Sequence, residues 1–153
     1  MAKNQSAGLL LYRYKNMLEV FLVHPGGPLW KNKDETAWSI PKGEFDETEE
    51  PLQAAVREFL EETGTAVSGE FIELTPVIQK GGKKVFAWAV EKNIDAAAIR
   101  SNNFEMEWPP RSGKYQSFPE IDKGAWFTTD EATKKINVMQ AALIEELKKK
   151  LAI

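Results

Sequence analysis

The segment GEFDETEEPLQAAVREFLEETG, residues 43–64, contains both end signals of a helix and an unusual run of acidic side chains. Pro51 suits the first helical position, where its missing N–H has no partner to lose, and Gly64 suits the position just past the end. The segment therefore predicts an α-helix over about 51–63. A helix of this length can bury one apolar face against a sheet.

The predicted helix separates its apolar side chains from its acidic ones. At about 100° per residue its apolar residues share one face, and they are Leu52, Ala55, Val56 and Phe59. Glu58, Glu61 and Glu62 share another face in the last turn, where the helix dipole disfavours anions. Like charges at these spacings also destabilise a helix by roughly 0.2–0.5 kcal/mol per pair. The acidic stripe therefore works against the helix that carries it.

Two explanations of the acidic stripe are open. The first is a solvated charged face in which Arg57 pairs with Glu61. The second is a bound divalent cation, because Mg²⁺ prefers carboxylate and carbonyl oxygens and often completes its coordination with substrate phosphates. We favour the cation, because it would neutralise the crowded glutamates and no basic residue stands in the last turn.

Length and composition limit the classes of protein to consider. The chain has 153 residues, which suits one compact domain over 1–153, and its 42% hydrophobic and 28% charged residues are typical of a soluble globular protein. The absence of cysteine excludes disulfides and suits a reducing compartment. No apolar run approaches the roughly 20 residues of a membrane helix, and the net charge of -3 argues against a basic nucleic-acid surface. We therefore expect a cytoplasmic protein without a membrane or nucleic-acid partner.

Apolar runs on both sides of the helix predict the strands of a mixed sheet. They are SAGLLLYRY and LEVFLVH in a hairpin over 6–24, WSIPKG before the helix, FIELTPVIQ and KKVFAWAVE in a second hairpin, and GAWFTT. Long connections over 24–38 and 92–120 are predicted to be irregular, and two helices close the chain. This order predicts an α+β fold, an α/β/α sandwich with a central mixed sheet flanked by helices.

The acidic segment resembles the Nudix box, whose spacing is G-x5-E-x7-R-E-U-x-E-E-x-G-U. The matching positions are Gly43, Glu49, Arg57, Glu58, Phe59, Glu61, Glu62 and Gly64. Thr65 departs from the usual aliphatic residue at a packing position. The resemblance implies a Nudix-like fold and hydrolysis of a nucleoside diphosphate linked to another group, with Mg²⁺ or Mn²⁺. The PKG sequence at 41–43 is similar to the form seen in the branches that cleave dinucleoside polyphosphates or diphosphoinositol polyphosphates.

The resemblance also implies roles for individual residues. Glu58 and Glu62 are implied as direct metal ligands, with Glu61 as a ligand to the same or a second ion and the backbone carbonyl of Lys42 as a further ligand. Arg57 and Glu49 are implied as an ion pair that orients the ligand helix, and Gly43 and Gly64 as structural positions of the box.

The general base is less defined by the resemblance. Glu120, six residues before Trp126, matches the loop acid of the MutT branch, near enough to the ion to be a further ligand. Its alternative is an exposed loop glutamate, and Glu105 and Glu107 compete for the same role.

Substrate contacts are expected from cationic and aromatic residues. Lys42, Arg111 and Lys114 are candidates for binding phosphates, and Trp108 and Tyr115 for stacking on a base. His24 is interpreted as a loop residue with a local hydrogen bond. The expected partner is a small nucleotide, a dinucleoside polyphosphate or a nucleoside triphosphate, bound by a monomer or homodimer. The alternatives are a hydrolase of nucleotide sugars or oxidised nucleotides, and a regulatory module that binds a nucleotide without cleaving it.

Overall fold

The computed structural model describes residues 5–152 and contains eight strands and three α-helices in that range. The strands are β1 (Gln5–Lys15), β2 (Met17–Pro25), β3 (Lys42–Glu44), β4 (Ile72–Ile78), β5 (Lys84–Glu91), β6 (Asn103–Glu107), β7 (Tyr115–Pro119) and β8 (Ile121–Thr128). The helices are α1 (Pro51–Thr63), α2 (Thr129–Lys135) and α3 (Ala141–Lys150), with short 3-10 turns at Ala96–Ala98 and Val138–Gln140.

Six of the strands form a mixed sheet. Five follow the order β4-β5-β1-β2-β8, and within it only β1 and β5 are parallel. On the edge of β1 opposite β5, the first residues pair with β3 and the last residues pair with β2. In this arrangement Gly8 lies opposite Lys42. A Cβ atom on Gly8 would lie 2.5 Å from the carbonyl oxygen of Pro41, so the close pairing requires glycine.

Two apolar cores cover the two faces of the sheet, because side chains alternate along a strand. Leu9 and Leu11 of β1 face α1 and pack in one core with Phe59. Leu10 of β1 lies in the other core with Leu143 of α3. The predicted α+β fold, a mixed sheet flanked by helices, is confirmed.

Helix α1 has the predicted boundaries. Pro51 occupies its first turn, and Gly64 ends it in the left-handed conformation at φ 81°, with its N–H donating to the Leu60 carbonyl. Among residues 5–152, no helix has the length and apolar character needed to cross a membrane.

The segment 92–120 is more regular than predicted. Strands β6 and β7 pair as an antiparallel hairpin, Asn103 opposite Pro119 and Glu107 opposite Tyr115. The prolines at 109 and 110 lie in the turn of this hairpin, so they end a strand instead of preventing one. The C-terminal helix α3 begins at Ala141, after a 3-10 turn in which Val138 is exposed.

Candidate active site

The acidic stripe of α1 lies against β3, and Gly43 makes the close approach possible. A Cβ atom on Gly43 would lie 2.0 Å from both Cδ and Oε1 of Glu58. No side chain other than hydrogen fits that space, so the Glu58 carboxylate occupies the position beside the backbone of β3. Glycine at position 43 therefore leaves the space that the Glu58 carboxylate fills.

Arg57 connects three glutamates around the helix. Its Nε and Nη2 each donate to one oxygen of Glu49 at 2.8 Å, and its Nη1 donates to Glu58 at 3.1 Å and to Glu61 at 2.5 Å. The hydrogen bonds from Arg57 hold the pKa of Glu49 below its ordinary value. The Arg57 guanidinium therefore pairs with Glu49 and also restrains the carboxylates of Glu58 and Glu61.

Glu62 is the most enclosed of the helix carboxylates. Its Oε1 accepts a hydrogen bond from the backbone N–H of Lys42 at 3.2 Å. Burial raises the pKa of Glu62 to about 8, and the charges of Glu58 and Glu120 act in the same direction. Burial also raises the pKa of Glu58. Both carboxylates therefore resist ionisation unless positive charge arrives nearby.

Lys42 lies beside Glu62 and brings a basic side chain to this region. Lys42 lines a cavity of about 240 Å³ together with Glu62 and Glu120. Burial lowers the pKa of the Lys42 ammonium, and repulsion from Lys83 lowers it further. Lys83 in turn donates to the Glu44 carboxylate at 2.5 Å. The Lys83 side chain therefore lies close to that of Lys42 and is paired with Glu44 of β3.

Glu120 is placed by backbone hydrogen bonds at the junction of β7 and β8. Its N–H donates to the Asn102 carbonyl at 2.8 Å, and its own carbonyl accepts from the Gly26 N–H at 2.9 Å. A Cβ atom on Gly26 would lie 2.0 Å from the Pro119 carbonyl oxygen, so this packing requires glycine. These contacts bring Glu120 to the cavity that Glu62 lines.

The residues in and beside the cavity fit a divalent cation, although their carboxylates do not converge on one point. Within residues 5–152 no three His, Asp or Glu side chains converge as a ready metal site, since Glu58 and Glu61 bond to Arg57 and Glu62 bonds to a backbone N–H. Burial raises the pKa values of Glu58 and Glu62, and a bound cation would favour the ionised form of both carboxylates. Carboxylate and carbonyl oxygens are the ligands that Mg²⁺ and Mn²⁺ take. The donor set is therefore chemically suitable.

The substrate-binding candidates of the β6–β7 hairpin lie apart from this cavity. Trp108, Arg111, Lys114 and Tyr115 stand at or beside its turn, and none of them lines the cavity. The Glu107 carboxylate accepts from the N–H groups of Arg111 at 3.3 Å and Gly113 at 3.0 Å. Glu107 therefore stabilises the turn, while Glu105 is exposed on β6.

The structure adds two positioning residues that the sequence did not indicate. The Gln140 side chain is buried, accepts from the Ile40 N–H at 3.0 Å and donates to Gln79 at 2.8 Å. It thereby supports Ile40 in the cavity wall. Asp122 bonds to Nδ1 of buried His24 at 3.0 Å, and the other ring nitrogen bonds to the Lys33 carbonyl at 2.6 Å. His24 was predicted to be a loop residue but is buried in β2, where its ring connects β8 to the loop between β2 and β3. The apolar sequence neighbours of Gln140 are the only signal for that residue.

Comparison with known proteins identifies the class. The family model described as NUDIX domain matches residues 3–147, and the chain belongs to this family, as the box predicted. Family members generally use divalent metal ions and act on nucleotides.

Individual relatives are similar over parts of their length. An 8-oxo-(d)GTP phosphatase of Mycolicibacterium smegmatis is 34% identical over 97 residues, 62% of this chain and 24% of the relative. An RNA pyrophosphohydrolase of Helicobacter pylori is 40% identical over 62 residues, 40% of this chain and 36% of the relative. The chain thus spans about a third or less of these two curated relatives. A solved C. elegans Ap4A hydrolase shares the fold, with a TM-score of 0.67 at 22% identity over 96% of this chain and 98% of that one.

Proposed function

We propose that the protein is a divalent-metal-dependent pyrophosphohydrolase that cleaves a nucleoside diphosphate linked to another group. The observation that carries the proposal is the convergence of Glu62, Glu120 and Lys42 on one cavity, beside the Arg57-oriented Glu58. Family membership and relatives with phosphatase and pyrophosphohydrolase names support it. A complete set of box glutamates favours an enzyme over a module that only binds nucleotides.

The proposed roles follow from the position of each group. Glu58, Glu62, Glu61 and the Lys42 carbonyl would hold the cation, and Glu120 is the candidate for a further ligand. A bound divalent cation neutralises phosphate charge and lowers the pKa of an attacking water. Glu120 accepts the proton of that water as its oxygen bonds to phosphorus and the anhydride P–O bond breaks. Arg57 acts through Glu58 and Glu61 by fixing their direction.

The proposed substrate is a dinucleoside polyphosphate or a nucleoside triphosphate. Lys42 lines the cavity and Lys83 lies near its ammonium group, so positive charge is available for a phosphate chain longer than that of a nucleotide sugar. Arg111 and Lys114 on the hairpin turn are candidates for a distal phosphate only. Monomeric or homodimeric assembly and a cytoplasmic location stay predictions.

A second candidate substrate is the 5′ end of RNA. It is favoured by the names of two relatives, the RNA pyrophosphohydrolase and an African swine fever virus mRNA-decapping protein that is 31% identical over 111 residues. The net charge of -3 is unfavourable for contacts along an RNA chain, so any such activity would involve the terminal nucleotide.

A substrate screen with Mg²⁺ and with Mn²⁺ tests the proposal. The substrates are diadenosine tetraphosphate, ATP, 8-oxo-dGTP, a nucleotide sugar and a 5′-triphosphate RNA, with Glu58→Gln protein as the control for contaminating activity. We expect a higher kcat/KM for diadenosine tetraphosphate than for the nucleotide sugar, and an advantage that shrinks as salt rises, because exposed charges are screened. Equal rates, or a preference for the sugar, would contradict the substrate assignment.

A further inference from the structure

An apolar slot opens between the β2–β3 loop and strand β6. It encloses about 160 Å³ and is lined by Gly26, Gly27, Leu29, Trp30, Phe104 and Met106. Gly27 has φ 96°, and a Cβ atom there would lie 2.9 Å from Cζ of Phe104. The loop can therefore approach the Phe104 ring only because position 27 is glycine.

The slot adjoins the acidic cavity at the end of β2. Pro25 lines the cavity and Gly26, the next residue, lines the slot. The Gly26 N–H also donates to the backbone carbonyl of Glu120, and Glu120 lines the cavity. Consecutive Cα atoms are about 3.8 Å apart. We therefore expect a nucleotide with its phosphates in the cavity to reach the slot with its base.

The slot walls suit a planar aromatic ring. Trp30 is 39% exposed, and the Lys33 ammonium lies 5.0 Å from its ring centroid. Phe104 forms part of the opposite side and is itself supported by Phe118, with ring centroids 6.0 Å apart. The other lining side chains are aliphatic, a thioether or absent. Apart from the Trp30 indole N–H, no lining side chain carries a strong hydrogen-bonding group to read the edge of a base.

We propose that this slot binds a nucleobase of the substrate by stacking against Trp30 and Phe104, and that it accepts different bases with little discrimination. The inference rests on the proposed function for the presence of a nucleotide, and it adds the residues and the base tolerance. Stacking is insensitive to base identity because every base has a π face. The slot replaces Trp108 and Tyr115, which lie at the hairpin turn, as the candidate base-binding surface.

Binding of α,β-methylene-ATP, measured by calorimetry with Mg²⁺, tests the slot without requiring hydrolysis. Inorganic tripolyphosphate is the base-free probe, Trp30→Phe is the conservative variant, and Tyr14→Ala removes an exposed aromatic ring of β1 as the matched control. We expect Trp30→Ala to weaken nucleotide binding by about 5- to 100-fold, in line with the loss of one stacked base. Tripolyphosphate binding, and all binding by the Trp30→Phe and Tyr14→Ala proteins, should change by less than about threefold on the same basis.

The outcomes separate the slot from the proposed function. If the wild-type protein cleaves phosphoric anhydrides but Trp30→Ala binds the nucleotide normally, the slot inference is overturned and the function stands. If Trp30→Ala loses nucleotide binding selectively but the wild-type protein cleaves no substrate, the function fails and the slot stands. Equal loss of nucleotide and tripolyphosphate binding would overturn the slot. A difference above about tenfold between the ATP and GTP analogues would overturn the base tolerance.

Discussion

Arg57 and Glu49 form a forked ion pair in which Nε and Nη2 each donate to a different carboxylate oxygen, both at 2.8 Å. The fork fixes the plane of the guanidinium, and its remaining nitrogen, Nη1, reaches Glu58 and Glu61. Since lysine is a point charge without a planar fork, it cannot reproduce this geometry. The orientation of two proposed ligands therefore depends on arginine at this position.

Arg57→Lys is expected to lower kcat and Mg²⁺ affinity by about 10- to 100-fold, the usual effect of losing a group that orients metal ligands. Steady-state kinetics over a Mg²⁺ titration measure this change. Arg13→Lys is the matched control, because Arg13 also forms an ion pair, with Glu19 at 2.7 Å, but lies on β1. Equal activities of Arg57→Lys and the wild-type protein would contradict the role.

Glu58→Gln and Glu62→Gln are each expected to abolish most turnover without unfolding the protein. Each change removes a charged oxygen from the proposed cation site, while the volume of the side chain is kept and no cavity opens. Turnover at saturating Mg²⁺ and thermal unfolding measure the two effects separately. Near-wild-type kcat in either variant would contradict the assignment of that residue as a ligand.

Glu62 is expected to make stability depend on pH in metal-free buffer. Burial raises the pKa of Glu62 from 4.5 to about 8 in the folded protein, so the folded state keeps a proton that the unfolded state has lost. Stability contributed by this proton is therefore complete below the unfolded pKa and falls as pH rises from 4.5 to about 8.

Thermal unfolding with a chelator across this pH range checks the expectation. Glu62→Gln cannot lose a proton, so its Tm should fall less than that of the wild-type protein. Added Mg²⁺ should raise the wild-type Tm most at the alkaline end, where the carboxylate is ionised and can bind the ion. Parallel Tm curves for the two proteins would contradict the pKa of Glu62.

Glu120→Gln is expected to lower kcat by about 10²–10⁴-fold with little change in KM, because general base catalysis contributes that factor. Glu107→Gln is the internal control, since Glu107 accepts hydrogen bonds from the hairpin turn and does not line the cavity. Steady-state kinetics of both variants measure the comparison. Loss of kcat in Glu107→Gln alone would place the base on β6 instead.

Gly43→Ala is expected to displace the Glu58 carboxylate. The added Cβ would lie 2.0 Å from that carboxylate, which is impossible without movement of one of them. Gly43 does not have a positive φ, so the effect would come from the clash and not from backbone strain. Mg²⁺ affinity measured by calorimetry should fall, and unchanged affinity would contradict the placement of Glu58.

The end signals of α1 were readable from the sequence because they act locally. Pro51 and Gly64 set the first and last turns through their own backbone properties, and both perform these roles in the structure. The spacing of Glu58, Glu61 and Glu62 along one helix likewise follows from helical geometry alone. Local rules therefore sufficed for the helix and its acidic stripe.

The apolar slot beside the cavity could not be predicted from the sequence by such local rules. Trp30 and Phe104 are distant in sequence and come together only where the β2–β3 loop packs against β6. The segment 92–120 is predicted to be irregular from the sequence, and only the pairing between β6 and β7 shows that its prolines at 109 and 110 lie in a turn. Contacts between distant loops depend on tertiary structure, which no local pattern encodes.

The parallel pairing of β1 with β5 has a consequence for the order of folding. Gln5 pairs with Lys84 and Tyr12 with Glu91, so the strand partners are about 80 residues apart in the chain. Helix α1 and β3 both belong to the intervening segment. During synthesis the acidic helix emerges well before β5 is available, and its apolar face has no complete sheet to cover it. A nascent chain that ends before β5 should therefore be a substrate for chaperones. The complete protein should refold slowly relative to a helical protein of equal length.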